Sequence, residues 1–141
     1  MNDLLGYHCR RAFYAVQPFA HERMAQFGLR PADFAVLSLL KVNPNTSQKR
    51  IAQGIGVLPP NLAPVIERLE ARGLVARKRS ERDGRRQLFY LSDSGLALCE
   101  EAEQTAFELE EHSCQVLSAD EQKQLLALLK KLYESAEQLQ P

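Results

Sequence analysis

The stretch VLPPNLAPVIERLEARG, residues 57–73, sets three prolines, Pro59, Pro60 and Pro64, at the head of a run with helical spacing. Leu62, Val65, Ile66 and Leu69 recur at steps of three and four, which places them on one face of a helix. Prolines in a first helical turn lose little, because the N–H groups there have no intrahelical partner. Pro64 is the exception. Inside a helix it forfeits the bond to the carbonyl of Pro60 and costs ~3 kcal/mol. Two arrangements accommodate it. The helix starts near Pro59 and bends at Pro64, or Asn61 is the N-cap and Pro64 falls at the third helical position. The fit of Leu62 to the buried period favours the first.

The flanks decide what this helix belongs to. Upstream, SQKRIAQGI (47–55) reads as a short helix that Ser47 or Thr46 can cap, followed by a glycine turn at Gly54–Gly56. Downstream the period changes from three and four to two. GLVARKRS (73–80) and RQLFYLS (86–92) read as strands joined through an Asp-Gly turn. Further out, helices are expected over about 4–27, disturbed at Pro18, and over 31–42, with Pro31 in the first turn. Two more are expected over about 92–117 and 118–139, the last opened by a capping pair of Ser118 and Glu121. The fold class is mainly α (α+β): a winged helix-turn-helix core over about 31–91 within one domain of 141 residues. The long terminal helices, about 4–27 and 92–139, have apolar faces that call for each other and for a second copy, which implies a symmetric homodimer.

Composition narrows the function. A net charge of zero conceals an asymmetry: residues 72–86 hold seven basic side chains against Glu81 and Asp83, a local +5, while residues 100–121 hold eight acidic side chains and no Lys or Arg. Concentrated positive charge on one hairpin suits phosphate, or is merely a solvated surface. No apolar run approaches the ~18–20 residues of a membrane span and the N-terminus lacks a signal-peptide layout, so a cytoplasmic protein without membrane attachment is expected. Cys9, Cys99 and Cys114 are odd in number and without CxxC spacing. No nucleophile elbow, phosphate loop, dinucleotide fingerprint or HExxH is present, so no catalytic residues, no cofactor and no enzymatic activity are expected. His112 and Cys114, two apart on a helix, point to different sides and leave no metal set. His21 is expected at a surface or interface.

In a winged helix-turn-helix the second helix of the motif enters the major groove of double-stranded DNA and the hairpin reaches phosphates and the minor groove. The face opposite Leu62 and Ile66 carries Pro60, Asn61, Pro64 and Arg68, with Ala63 beside them. Ser47, Gln48, Lys49 and Arg50 open the preceding helix, where N–H groups meet phosphate or are simply capped. Arg85 and Arg86 lie at the hairpin tip. The recognition surface is unusually apolar, so direct hydrogen-bonded readout is expected to be sparse. Apolar contact to thymine methyls and contacts from the wing should then contribute more.

The stretches FAVLSLL, SQKRIAQGIGV, VIERLEARGLVARK, RDGRRQLFYLSDSG and LSADEQKQLLALLKKL, in this order over roughly residues 28–133, resemble the MarR-type transcriptional regulators. The resemblance implies a homodimer on a palindromic operator, usually a repressor released by a small molecule. It implies that Arg85 enters the minor groove and that Asp83 holds it in place. It also implies an effector pocket between the first helix, the winged domain and the long fifth helix. Tyr7, Arg11 and Tyr14 share a face of that first helix and, with His8, suit an aromatic or phenolic ligand, although dimer packing explains them equally. Some relatives sense hydroperoxides through a cysteine early in the first helix. Cys9 is the counterpart here, a redox alternative weakened by the absence of tyrosine in RPADFAVLSLL and by an offset of about one turn. A winged helix that binds a protein rather than DNA is the remaining alternative.

Overall fold

The computed structural model describes residues 4–81 and 83–138, and the side chains of all of these except 17–21, 109–113 and 136–138. The expectations for the side chains of Pro18, His21 and His112 fall outside that description, as does Arg82. The element order is α1 (Leu5–Ala25), α2 (Pro31–Val42), β1 (Thr46–Ser47), α3 (Gln48–Gly54), α4 (Pro59–Ala71), β2 (Val75–Arg79), β3 (Gln87–Leu91), α5 (Asp93–Ser113) and α6 (Ala119–Gln138). The mainly helical winged architecture expected from the sequence is present.

One element was not foreseen. Thr46 and Ser47, expected only as candidate caps of the short helix, form a short strand that pairs antiparallel with β3, Thr46 opposite Phe89 and Ser47 opposite Leu88. Asn45, at φ 61°, turns the chain into it, in the left-handed region that asparagine tolerates. The sheet order is therefore β1-β3-β2, with β2 and β3 as the hairpin. Two residues are too few to show a period of two, so this strand has no signature in the hydrophobic pattern. It has a consequence for the site, because it brings the start of α3 against the base of the wing.

The chain divides into two compact units, one ending at Phe107 and the other beginning at Glu108. In the first, Met24, Leu37, Leu40, Ile51, Leu62, Leu69 and Phe89 are all buried in a shared core. The start of α5 is fastened to the sheet. Ser92 caps it by accepting from the Gly95 N–H at 3.0 Å and donates its own hydroxyl to the carbonyl of Gly73 at 2.6 Å. Gly95 approaches the backbone so closely that a Cβ there would lie 1.9 Å from the carbonyl oxygen of Leu74. Between α2 and α5, Cys99 is fully buried, its Sγ 3.9 Å from Ser38 Oγ and 3.8 Å from Glu103 Oε1. Burial, with Glu103 adding to it, pushes this thiol up to about 11. Lys41 reaches the same carboxylate at 2.8 Å.

In the second unit, the expected capping pair forms: Glu121 accepts from the Ser118 N–H at 2.7 Å and Ser118 Oγ accepts from the Glu121 N–H at 3.3 Å. The bond from the Ser118 N–H, with the Ser118 side chain adding to it, holds the Glu121 carboxyl below its ordinary value. Helix α6 leaves an apolar stripe exposed at Leu125, Leu128, Leu129, Leu132 and Tyr133. On α1 of the first unit, Leu5, Phe13 and Val16 are exposed as well.

Candidate nucleic-acid interface

Helix α4 is a single helix from Pro59 to Ala71 with Leu58 as its N-cap. The alternative in which Asn61 caps a shorter helix is overturned. Asn61 sits inside the first turn and donates its N–H to the carbonyl of Leu58 at 2.9 Å. Pro59 and Pro60 occupy the first two positions at no cost in hydrogen bonds, and Pro64 lies in the interior. The magnitudes explain why the helix survives Pro64. A loss of ~3 kcal/mol is set against the burial of Leu62, Val65, Ile66 and Leu69, each contributing about 1.5–3 kcal/mol. On the opposite face Pro60, Asn61 and Pro64 are exposed and Ala63 is half-buried.

Arg68 extends the same row, but its guanidinium turns inward. Nη2 and Nε donate to the carboxylate of Asp33, whose side chain is 1% exposed. Asp33 stands in the first turn of α2, where it also accepts from the Arg30 N–H at 2.9 Å. Two further arginines counted in the basic segment are engaged in the same way. Arg72 donates to the carbonyls of Gly28 at 2.7 Å and Phe27 at 2.9 Å, tying the end of α4 to the turn between α1 and α2. Arg77 on β2 makes a two-point contact with Glu70 of α4, at 2.6 and 2.5 Å, and reaches Gln87 at 3.1 Å. Much of the local positive charge therefore holds α4 in its orientation.

The charge that faces outward lies around the start of α3 and the hairpin turn. Ser47 caps α3, its Oγ accepting from the Arg50 N–H at 3.5 Å. Ser47, Gln48, Lys49, Arg50 and Gln53 line one side of an open cleft of about 620 Å³, with Arg85, Arg86, Gln87 and Phe89 on the other. The pairing of β1 with β3 brings these two segments together. Gln53 was not singled out in the sequence, where nothing links it to the hairpin. At the tip, Asp83 accepts from the Arg85 N–H at 3.1 Å and its other oxygen lies 3.3 Å from Arg86 Nε. The carboxylate holds the backbone of Arg85 and the side chain of Arg86, and Arg85 itself is exposed. Lys78 and Arg79 on β2 are exposed too.

The α1 residues are brought together only in part. Arg11 lies over the ring of Tyr7 at 5.9 Å, with Nη1 3.5 Å from the phenol oxygen, and Tyr7 stacks edge-on with His8 at 5.4 Å. Tyr14 turns to Arg10, at 5.8 Å, and to Phe13. All four predicted residues are exposed on this chain. Cys9 is half-buried beside two arginines whose guanidinium groups are drawn to tyrosine rings. Cys114 lies beyond the end of α5, half-buried. Among the described residues there is no group of three or more His, Cys, Asp or Glu that could hold a metal ion, and no helix is long and apolar enough to cross a membrane.

Comparison with known proteins converges on one family. The profile of the MarR family matches residues 29–86. A protein of Thauera aromatica to which regulation of the hcr operon is ascribed is 30% identical over 92% of this chain and 78% of its own. The structure of the transcriptional repressor CouR bound to a 23-mer DNA duplex is 36% identical, covers 93% of each chain and superposes with a TM-score of 0.82. BpsR of Bordetella bronchiseptica, whose DNA binding is regulated by 6-hydroxynicotinic acid, is 26% identical over 94% of each chain, with a TM-score of 0.82.

Proposed function

The chain belongs to the MarR family of transcriptional regulators, which are DNA-binding proteins and not enzymes, and we propose that it is a homodimeric repressor of a palindromic operator, released by a small aromatic or phenolic ligand. The observation that carries this reading is the cationic cleft. It sets the cap of α3 against the wing turn, in a chain 36% identical to a repressor bound to duplex DNA.

In this reading Ser47, Gln48 and Lys49 meet phosphate at the start of α3, where backbone N–H groups and side chains converge. Pro60, Asn61, Ala63 and Pro64 face the major groove. Arg85 enters the minor groove, and Asp83 shapes the turn that presents it while Arg86 meets the backbone. Arg68 acts through Asp33, as a residue that positions α4. The winged core spans about 31–91, and the flanking helices, about 4–27 and 92–139, make the dimer. The exposed apolar side chains of α1 and α6 support that assignment. In the dimer the two α4 helices stand about 34 Å apart, one turn of DNA. The effector site uses Tyr7, His8, Arg11 and Tyr14. The Tyr7–Arg11 pair supports an aromatic acid, the chemistry of the BpsR ligand. Such a ligand releases DNA by favouring a dimer whose α4 spacing does not match the groove.

The test is binding of the full chain to fragments tiled across its own upstream region, by fluorescence anisotropy over a salt series. One fragment should bind selectively, with affinity falling steeply as salt rises. No selective fragment and no salt dependence would remove the reading.

A further inference from the structure

We propose that α4 reads its operator through the C5 methyl groups of thymine, with Leu58, Pro60 and Pro64 as the contacting side chains and Asn61 as the single hydrogen-bonding reader. This rests on the DNA-binding reading above and specifies its chemistry. Leu58, the N-cap, is 69% exposed, whereas Leu62 and Leu69 of the helix it opens are fully buried. Pro60 and Pro64 lie one turn apart on the outward face. The next residue in their row, Arg68, would be the natural reader of guanine, but its guanidinium is bound to Asp33. The first two helical positions are prolines and have no N–H to donate. What α4 presents at its leading end is an apolar surface with one amide.

Such a surface selects by what it leaves unsatisfied. A G·C pair offers two acceptors on guanine and a donor on cytosine in the major groove. Proline and leucine laid over them exclude water and supply no partner. Thymine instead offers a methyl group, and the Asn61 amide matches N6 and N7 of adenine. The occupant of this face is therefore the T·A-bearing major-groove edge of duplex DNA. The basic cleft on the same unit provides the complementary charge for the flanking phosphates.

The experiment compares the affinity of the full-length protein for its best upstream fragment with that for the same fragment carrying deoxyuridine in place of thymidine, a change that removes only the methyl groups. Affinity should fall about fourfold for each methyl contacted. In Leu58→Ala, an exposed position outside the core, that penalty should shrink. Equal affinity for the two fragments overturns the proposal and leaves the regulator reading intact. A penalty unchanged in Leu58→Ala also overturns it, because the effect would then come from duplex shape. Failure to bind any upstream fragment removes the regulator reading and this proposal with it.

Discussion

Arg68 on the outward row of α4 donates to Asp33, a buried carboxylate in the first turn of α2. The two residues are 35 apart in sequence, and together they fix the rotation of α4 about its own axis relative to the core. Their exposures differ, Arg68 at 29% and Asp33 at 1% for the side chain, and that difference makes the pair testable.

Removing either partner should not cost the same. Arg68→Ala leaves a carboxylate buried without its counter-charge, which costs about 3–5 kcal/mol. Asp33→Ala frees an arginine that can rehydrate, so about 1–3 kcal/mol is expected, including the lost contact to the Arg30 N–H. Urea unfolding of the two variants should place Arg68→Ala as the less stable. The reverse order would mean the pair is not what holds α4.

Gly95 should tolerate no side chain. A Cβ would lie 1.9 Å from the Leu74 carbonyl oxygen, and backbone cannot rotate away as a side chain can. Gly95→Ala is expected to cost about 2 kcal/mol or more by forcing α5 off the sheet. A thermal melt within a degree of wild type would contradict the close approach.

The wing gives a prediction of opposite sign to simple charge counting. Asp83→Ala removes a negative charge near DNA, which by itself should tighten binding. Because Asp83 holds the Arg85 N–H and Arg86 in the turn, the substitution should weaken binding instead. Arg86→Ala, at the side chain placed against the DNA backbone, should reduce the slope of log affinity against log salt by about 0.9, one phosphate contact. Anisotropy titrations at four salt concentrations distinguish the two effects. Tighter binding by Asp83→Ala would show that local charge outweighs turn geometry.

Cys99 should make stability fall at alkaline pH. Its native value of about 11 lies above the ordinary 9.0, so the folded state keeps the thiol proton that the unfolded state gives up. The contribution is fully present below pH 9 and is lost as pH rises toward 11, at about 1.4 kcal/mol per unit. The stability difference between wild type and Cys99→Ala should therefore narrow by about 2 kcal/mol between pH 8 and 10.5, measured by urea unfolding. A difference independent of pH would place the thiol in a more solvated setting.

Much of the fold was legible because its determinants are local. Apolar residues at steps of three and four marked α1 and α4, a capping residue and a glycine turn marked α3, Ser118 with Glu121 marked the start of α6, and the change to a period of two marked the hairpin. The buried face of α4 was readable from Leu62, Val65, Ile66 and Leu69, and so was its apolar outward face. The prolines were the limit of this reasoning. Propensity left two starts for α4; the folded chain starts it at Pro59, with the Asn61 N–H bonded to the Leu58 carbonyl inside the first turn.

Partner choice was decided by the tertiary structure alone. Nothing near Arg68, Arg72 or Arg77 in the sequence distinguishes them from Arg85. All are long cations on a basic segment, and each reaches whatever acceptor the fold brings within a few ångströms. For three of them these are Asp33, the Phe27 and Gly28 carbonyls, and Glu70; Arg85 is left facing outward. The pairing of Thr46 and Ser47 with β3, which joins the start of α3 to the wing, is of the same kind. Local pattern determined the elements and their faces, because helix and strand periods are written in neighbouring residues. Which charges hold the protein together and which remain exposed depends on distances between separate elements, up to 45 residues apart for Arg72 and Phe27, and only folding sets those distances.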